Sequence, residues 1–274
     1  MGDAFSGSAI ETITFENDST LESVDIGTFS WTSHLRNITL PDSVKEIKEN
    51  AFAYANISEF VVPKETISIS PFAFNHCRSL SKFIIPANCF LQELGLFIFE
   101  GCTSLETFEC NESLYFTVEN YALFNKNKTS LVCFPPASEC KFFYVPISIE
   151  RISAGAFYCC KNIVNILIPD KSVKVIERYV FSNCTSLSHI NIPCSVVRVE
   201  THAFSNCFKL QCGVNIDNNN ETFISELFNI SLLPKSSITE CNLITCRKTH
   251  HYRYFLHFSL FSLSESIYLG FDIK

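Results

Sequence analysis

Glycine is scarce in this chain: eight among 274 residues leave little material for loops that must bring backbone close to a phosphate or cofactor. No glycine-rich phosphate loop, Gly-x-Ser-x-Gly elbow or His-Glu-x-x-His stretch occurs, and no motif surrounds any of the many possible Cys-His pairs. No enzyme and no cofactor is therefore expected. Charge is also sparse, at 18% of residues with a formal net of -7, and no Lys/Arg cluster builds a basic face. The longest basic run, Arg247-Lys248 followed by Thr249, His250 and His251, reads as a solvated turn. A polyanion binder needs clustered cations, so nucleic acid is excluded as a partner. Long apolar runs are missing too. The most apolar stretch, 254–263, is broken by His257, Ser259 and Ser262. It falls far short of the ~20 residues a bilayer requires, so no transmembrane span is expected. Met1-Gly2-Asp3-Ala4-Phe5 is acidic and leads straight into the pattern described next, with no apolar stretch typical of a signal peptide.

What the chain does have is apolar mass, 47% of residues with 27 phenylalanines, enough to bury a core. Fourteen cysteines leave the redox compartment open by number alone. The phenylalanines are spaced regularly. Ala-Phe or similar dipeptides place anchors at Phe5, Phe29, Phe52, Phe74, Phe99, Phe157, Phe181 and Phe204, 22 to 25 residues apart except for one long gap. Pro41, Pro63, Pro86, Pro146, Pro169 and Pro193 keep the same period and share the same gap. Two independent markers with one period identify a repeat array.

Each proline closes the pattern apolar-x-x-apolar-x-apolar, as in Leu35, Ile38 and Leu40, in Ile163, Ile166 and Ile168, and in Leu187, Ile190 and Ile192. The alternation predicts a short strand with one face inward, stopped by a residue that has no N-H to give to a ladder. A segment of the type Ser-Val-x-x-Ile follows, as in Ser43-Val44-Lys45-Glu46-Ile47 and Ser172-Val173-Lys174-Val175-Ile176, and returns the chain along the opposite wall. The anchor phenylalanine recurs once per coil, which predicts a stacked spine that no coil could bury without its neighbours.

The stretches AFNHCRSLSKFIIP, VFSNCTSLSHINIPCSVVRV and LIPDKSVKVIERYVF carry a resemblance to the BspA-like leucine-rich repeats, over about residues 4 to 210. The resemblance implies an α/β-type leucine-rich-repeat solenoid: a β-rich horseshoe or superhelix with a parallel sheet on its concave face and little helix. Residues 1–216 form the expected array. An irregular unit at about 111–139, with the sequence SLYFTVENYALFNKNKTSLVCFPP, reads as strands around the polar turn Asn125-Lys126-Asn127-Lys128. Such hairpin-bearing units are also similar to the family's. The array resumes at Phe143, Val145 and Pro146. The period is lost after Ile216, and 217–274 is expected to be a divergent C-terminal cap or tail. The array starts in mid-repeat at Ala4-Phe5, so the chain is expected to be a piece of something longer.

Cys77, Cys102, Cys160, Cys184 and Cys207 each lie three residues after an anchor, a slot that elsewhere holds Ser8, Thr32 and Ala55. The slot selects for small size, so these thiols are read as buried packing rather than as a metal ladder. Cys241-x4-Cys246 with His250 and His251 has ligand types that zinc accepts. Its spacing only loosely resembles a finger, and a zinc-dependent role for the tail ranks last. Eight Asn-x-Ser/Thr sequons, at Asn17, Asn37, Asn56, Asn111, Asn127, Asn183, Asn220 and Asn229, matter only in a secretory lumen.

Side chains between the inward positions of the strands must point outward, in a row available to a partner. They are Thr12 and Thr14, Asn37 and Thr39, Glu59 and Val61, Lys82 and Ile84, Thr107 and Glu109, Phe142 and Tyr144, Asn165 and Leu167, and His189 and Asn191. The mixture is polar, aliphatic and aromatic with little net charge, which suits a protein or glycan ligand. Phe142 and Tyr144 are anchor types, unless the irregular unit folds over them. The expected function is a non-enzymatic binding module. The family resemblance implies a surface antigen or adhesin on the cell surface or secreted, and the alternative is an intracellular scaffold for protein-protein interaction.

Overall fold

A computed structural model describes residues 2–210, 213–218, 220–234 and 237, in which the chain winds as a β-solenoid with almost no helix. The apolar-x-apolar segments form the first wall. Its strands are Thr12–Ile13 and Asn37–Ile38, then Glu59–Val61, Lys82–Ile85 and Thr107–Cys110, then Phe142–Tyr144, Asn165–Leu167, His189–Ile192 and Val214–Ile216, parallel within each group. The alternation places Phe143, Ile166, Ile190 and Val214 in one buried inward row. The wall is thus three sheets, not a single continuous one. One break falls where residues 111–141 intervene. At the other, between Asn37–Ile38 and Glu59–Val61, the coils are still joined by Ser58 N donating to Arg36 O at 3.0 Å.

The Ser-Val-x-x-Ile return is itself a β-ladder. Ser23–Val24, Glu46–Ile47, Ser68–Ile69 and Glu93–Leu94 make a four-stranded parallel sheet. Phe116–Glu119, Ala122–Asn125, Ser130–Cys133, Arg151–Ile152, Val175–Ile176 and Arg198–Val199 make a six-stranded one. Its first three strands are the antiparallel meander of the irregular unit, turned at Asn120 and Tyr121, both with positive φ, and again around residues 126–128. Strands of two residues have no independent stability and hold only because they pair with strands of neighbouring coils.

A third line of bonds runs along the corner that carries the anchors. Phe52 N donates to Ala73 O and Tyr54 N to Asn75 O, both at 2.8 Å. The anchor is flanked two residues before and two after by left-handed backbone, as at Asn50 and Tyr54 around Phe52 and at Tyr179 and Asn183 around Phe181. Aromatic residues in this conformation, Trp31, Tyr54, Phe72, Phe97 and Tyr179, each cost roughly 1–2 kcal/mol of backbone strain. Their rings stack coil on coil in compensation, Trp31 on Tyr54 at 3.8 Å and Phe72 on Phe97 at 5.5 Å between centroids.

The anchor rings form the spine that the period predicts, with Phe5, Phe29, Phe52, Phe74 and Phe99 5.2 to 6.1 Å apart in sequence order. Phe157, Phe181 and Phe204 form a second spine, with 5.5 and 5.2 Å between rings. Phe134 takes the anchor place of the irregular unit, 5.1 Å from Phe157, although no Ala precedes it and Pro135 and Pro136 follow. The buried core is two clusters, one spanning Val24 to Leu123 and the other Ala122 to Leu233.

Beyond the last strand, Asn220 Oδ1 accepts from Phe223 N at 3.1 Å and so caps the helix Glu221–Ser231. The carbonyls of Ile230 and Ser231, at the end of that helix, accept from His202 N and Phe204 N at 2.9 Å. Helix C-terminal carbonyls are free for this role, so the helix replaces the coil that would otherwise satisfy the last corner. Phe223 and Leu227 join the second cluster.

Candidate functional site

All sixteen residues of the outward row lie on the outer face of the first wall, and none is buried. Strand register sorts them into columns. Glu59, Lys82 and Thr107 stand side by side, and Val61, Ile84 and Glu109 form the neighbouring column. In the second half, Phe142, Asn165 and His189 share one column, and Tyr144 lies beside Leu167. Thr12 pairs with Asn37, while Thr14 and Thr39 are exposed just past their strands.

The irregular unit does not fold over Phe142 and Tyr144, which are 55% and 49% exposed, with Leu167 next to them at 41%. Three large, mostly apolar side chains thus lie exposed at adjacent positions of one sheet, where water solvates them poorly. In the first half the wall is more polar. Lys82 Nζ lies 2.6 Å from Glu109 across a column, and that hydrogen bond raises the Lys82 pKa.

One member is committed to the fold. Asn191 donates from Nδ2 to Ile168 O at 2.6 Å and accepts Ile168 N at 2.7 Å, bridging two coils in place of a strand pair, and is half-buried. Asn165 is half-buried, with Oδ1 shielded from solvent. Asn215, paired with Asn191, extends the row by one coil. The alternation of Val214, Asn215 and Ile216 was its signal, but it lacks the closing proline that marked the other strands.

The five slot cysteines are buried free thiols. Each donates to the carbonyl of the anchor in the preceding coil: Cys77 Sγ to Phe52 O at 2.9 Å, Cys102 to Phe74 at 3.1 Å, Cys160 to Phe134 at 3.7 Å, Cys184 to Phe157 at 3.0 Å and Cys207 to Phe181 at 3.0 Å. Where the slot holds Cys, its small thiol thus also donates between coils, a role the sequence alone did not show; Ala55 fills the slot by size alone. Burial pushes these thiols up, Cys207 to about 12, so they remain protonated and poor nucleophiles. Cys241, Cys246, His250 and His251 lie outside the described residues.

The BspA type leucine-rich repeat region matches residues 2–132 and 130–234, with six copies. The chain belongs to the BspA-type leucine-rich repeat family. Repeats of this family are typically non-catalytic binding modules. No curated relative matches this BspA-type chain. Among solved structures, a leucine-rich repeat protein from Eubacterium ventriosum is similar with a TM-score of 0.64 at 23% identity, covering 74% of this chain and 59% of that one. The pneumococcal vaccine antigen PcpA is similar with a TM-score of 0.51 at 16% identity, covering 73% and 68%. Likeness at these identities is one of fold, and the chain spans less than two thirds of the length of the first. Among the described residues of this BspA-type array, no helix is long and apolar enough to cross a membrane.

Proposed function

We propose that this chain is a non-enzymatic binding module of the surface antigen or adhesin kind, which contacts a host or matrix protein or a glycan through the outer face of its first wall. The observation that carries the reading is the apolar group of Phe142, Tyr144 and Leu167, exposed on a wall whose other outward residues are mostly polar. Aromatic side chains on a rigid sheet lose little entropy when a partner covers them, which is why they dominate interface energetics. Likeness in fold to a vaccine antigen supports the surface reading by analogy.

The test measures binding of the chain to arrayed matrix proteins and glycans, beside a variant carrying Phe142→Ser, Tyr144→Ser and Leu167→Ser. Binding by the parent chain that is lost in the variant, with an unchanged circular dichroism spectrum, supports the reading. Absence of any ligand on the arrays, or equal binding by both proteins, rejects it. Antibody labelling of intact cells addresses the setting. Signal only after permeabilisation replaces the surface reading with an intracellular scaffold that uses the same wall.

A further inference from the structure

The second wall is interrupted once. Glu93–Leu94 closes the four-stranded sheet, Ser130–Cys133 belongs to the six-stranded one, and the two strands do not pair. The corner hydrogen bonds and the ring spine stop at the same level. Phe74 N still reaches Ile98 O at 3.1 Å and Phe134 N reaches Ala156 O at 2.7 Å, but Phe99 does not stack on Phe134. The meander displaces one coil from the next, and the gap is a cleft of about 510 Å³. That volume falls within the ~300–1,000 Å³ common for small-ligand sites.

The cleft's lining includes Glu93, Glu100 and Glu177 and contains no Lys, Arg or His. Only Glu177 is matched by a cation among the described residues, Arg151 at 2.7 Å. Glu100 accepts from Tyr158 Oη at 3.0 Å and from Asn75 Nδ2 at 3.1 Å, so it is oriented but not neutralised. Phe97 crosses the gap to meet Tyr158 edge-on at 4.8 Å, which bridges the two halves and gives the cleft an aromatic side. Leu94, Phe116 and Val132 supply apolar surface. Glu93 and Glu100, facing a half-open, partly apolar cleft with no ion-pair partner among the described residues, favour an occupant that brings a positive charge, and aromatic rings favour the same sign of charge.

We propose that this cleft is a binding site for a small organic cation, an ammonium group carried on an apolar body, with the charge toward Glu93 and Glu100 and the body against Phe97 and the aliphatic wall. The site is separate from the first wall, so it stands or falls independently of the adhesin reading.

The experiment is a calorimetric titration of the whole chain with 3-phenylpropylamine, beside its neutral analogue 3-phenylpropanol and its anionic analogue 3-phenylpropanoate. Saturable binding of the amine is expected, with the alcohol about tenfold weaker and the propanoate weaker still, and with the amine's affinity falling as salt is added. Glu93→Gln, at an exposed rim position, should weaken the amine several-fold without altering the fold. Glu100→Gln should weaken it further. Phe142→Ser, on the first wall, should leave it unchanged. Equal affinity for amine and alcohol, no saturable binding of the amine, or full affinity in the Glu93→Gln and Glu100→Gln proteins would each overturn the proposal.

Discussion

Replacing Phe181 by alanine removes one ring from the middle of the second spine. The side chain is fully buried and lies 5.5 Å from the ring of Phe157 and 5.2 Å from that of Phe204. Burial of roughly 150 Å² of ring surface at ~25 cal/mol/Å² stabilises by about 4 kcal/mol, in line with the ~3–5 kcal/mol measured for core Phe→Ala changes. The neighbours cannot close the space easily, because strands and corner bonds fix the spacing of coils. The loss should also be mostly local, since a coil packs mainly on its neighbours and the core is already divided into two clusters, although Phe97 reaches across the gap to Tyr158 and Tyr179. Urea denaturation followed by circular dichroism should report a destabilisation near 4 kcal/mol. Hydrogen exchange should accelerate in the coils from Phe157 to Phe204, while amides between Val24 and Leu105 keep their protection. A cost below about 1 kcal/mol would refute the packing argument. Equal acceleration in both halves would refute the division of the core.

The slot thiols give a second test: Cys184→Ala should cost about 1 kcal/mol through the lost bond to Phe157 O, and Cys184→Met should cost more through overpacking, both read from denaturation midpoints. Cys133 and Cys207 have folded-state pKa values raised by burial from 9.0 to about 12. A raised pKa stabilises the fold below the unfolded value and is lost as pH rises through the folded one. The midpoint should therefore fall between about pH 9 and 12, and a Cys133→Ala/Cys207→Ala protein should fall less steeply over that window. Gly95→Ala should destabilise by roughly 1–3 kcal/mol, because the new Cβ would sit 2.3 Å from Pro71 N on the adjacent coil. Phe142→Ser and Tyr144→Ser should shift the thermal midpoint little, within the ~0.5 kcal/mol expected of surface changes, whatever they do to binding.

Much of this architecture is local and periodic, and for that reason it was legible in the sequence. Phenylalanine every 22 to 25 residues marks the spine, proline after apolar alternation marks the first wall, and parity along each strand assigns Phe142, Tyr144 and Leu167 to the outside. What tertiary structure alone decided depends on pairing between distant residues. The second wall is built of strands mostly two residues long, too short for any periodicity, and exists only because Ile47 finds Ile69 and Ile152 finds Ile176. Phe134 entered the spine without an Ala-Phe signature because the meander carried it to the place where the next ring was needed. Trp31, Tyr54 and Tyr179 adopt left-handed backbone against their own preference, a strain that only stacking between coils can offset. The cleft follows in the same way. Glu93 and Glu100 belong to one coil and Glu177 to a coil far along the chain, and the missing coil pairing that gathers them around one space is a property of the stack, not of any segment in it.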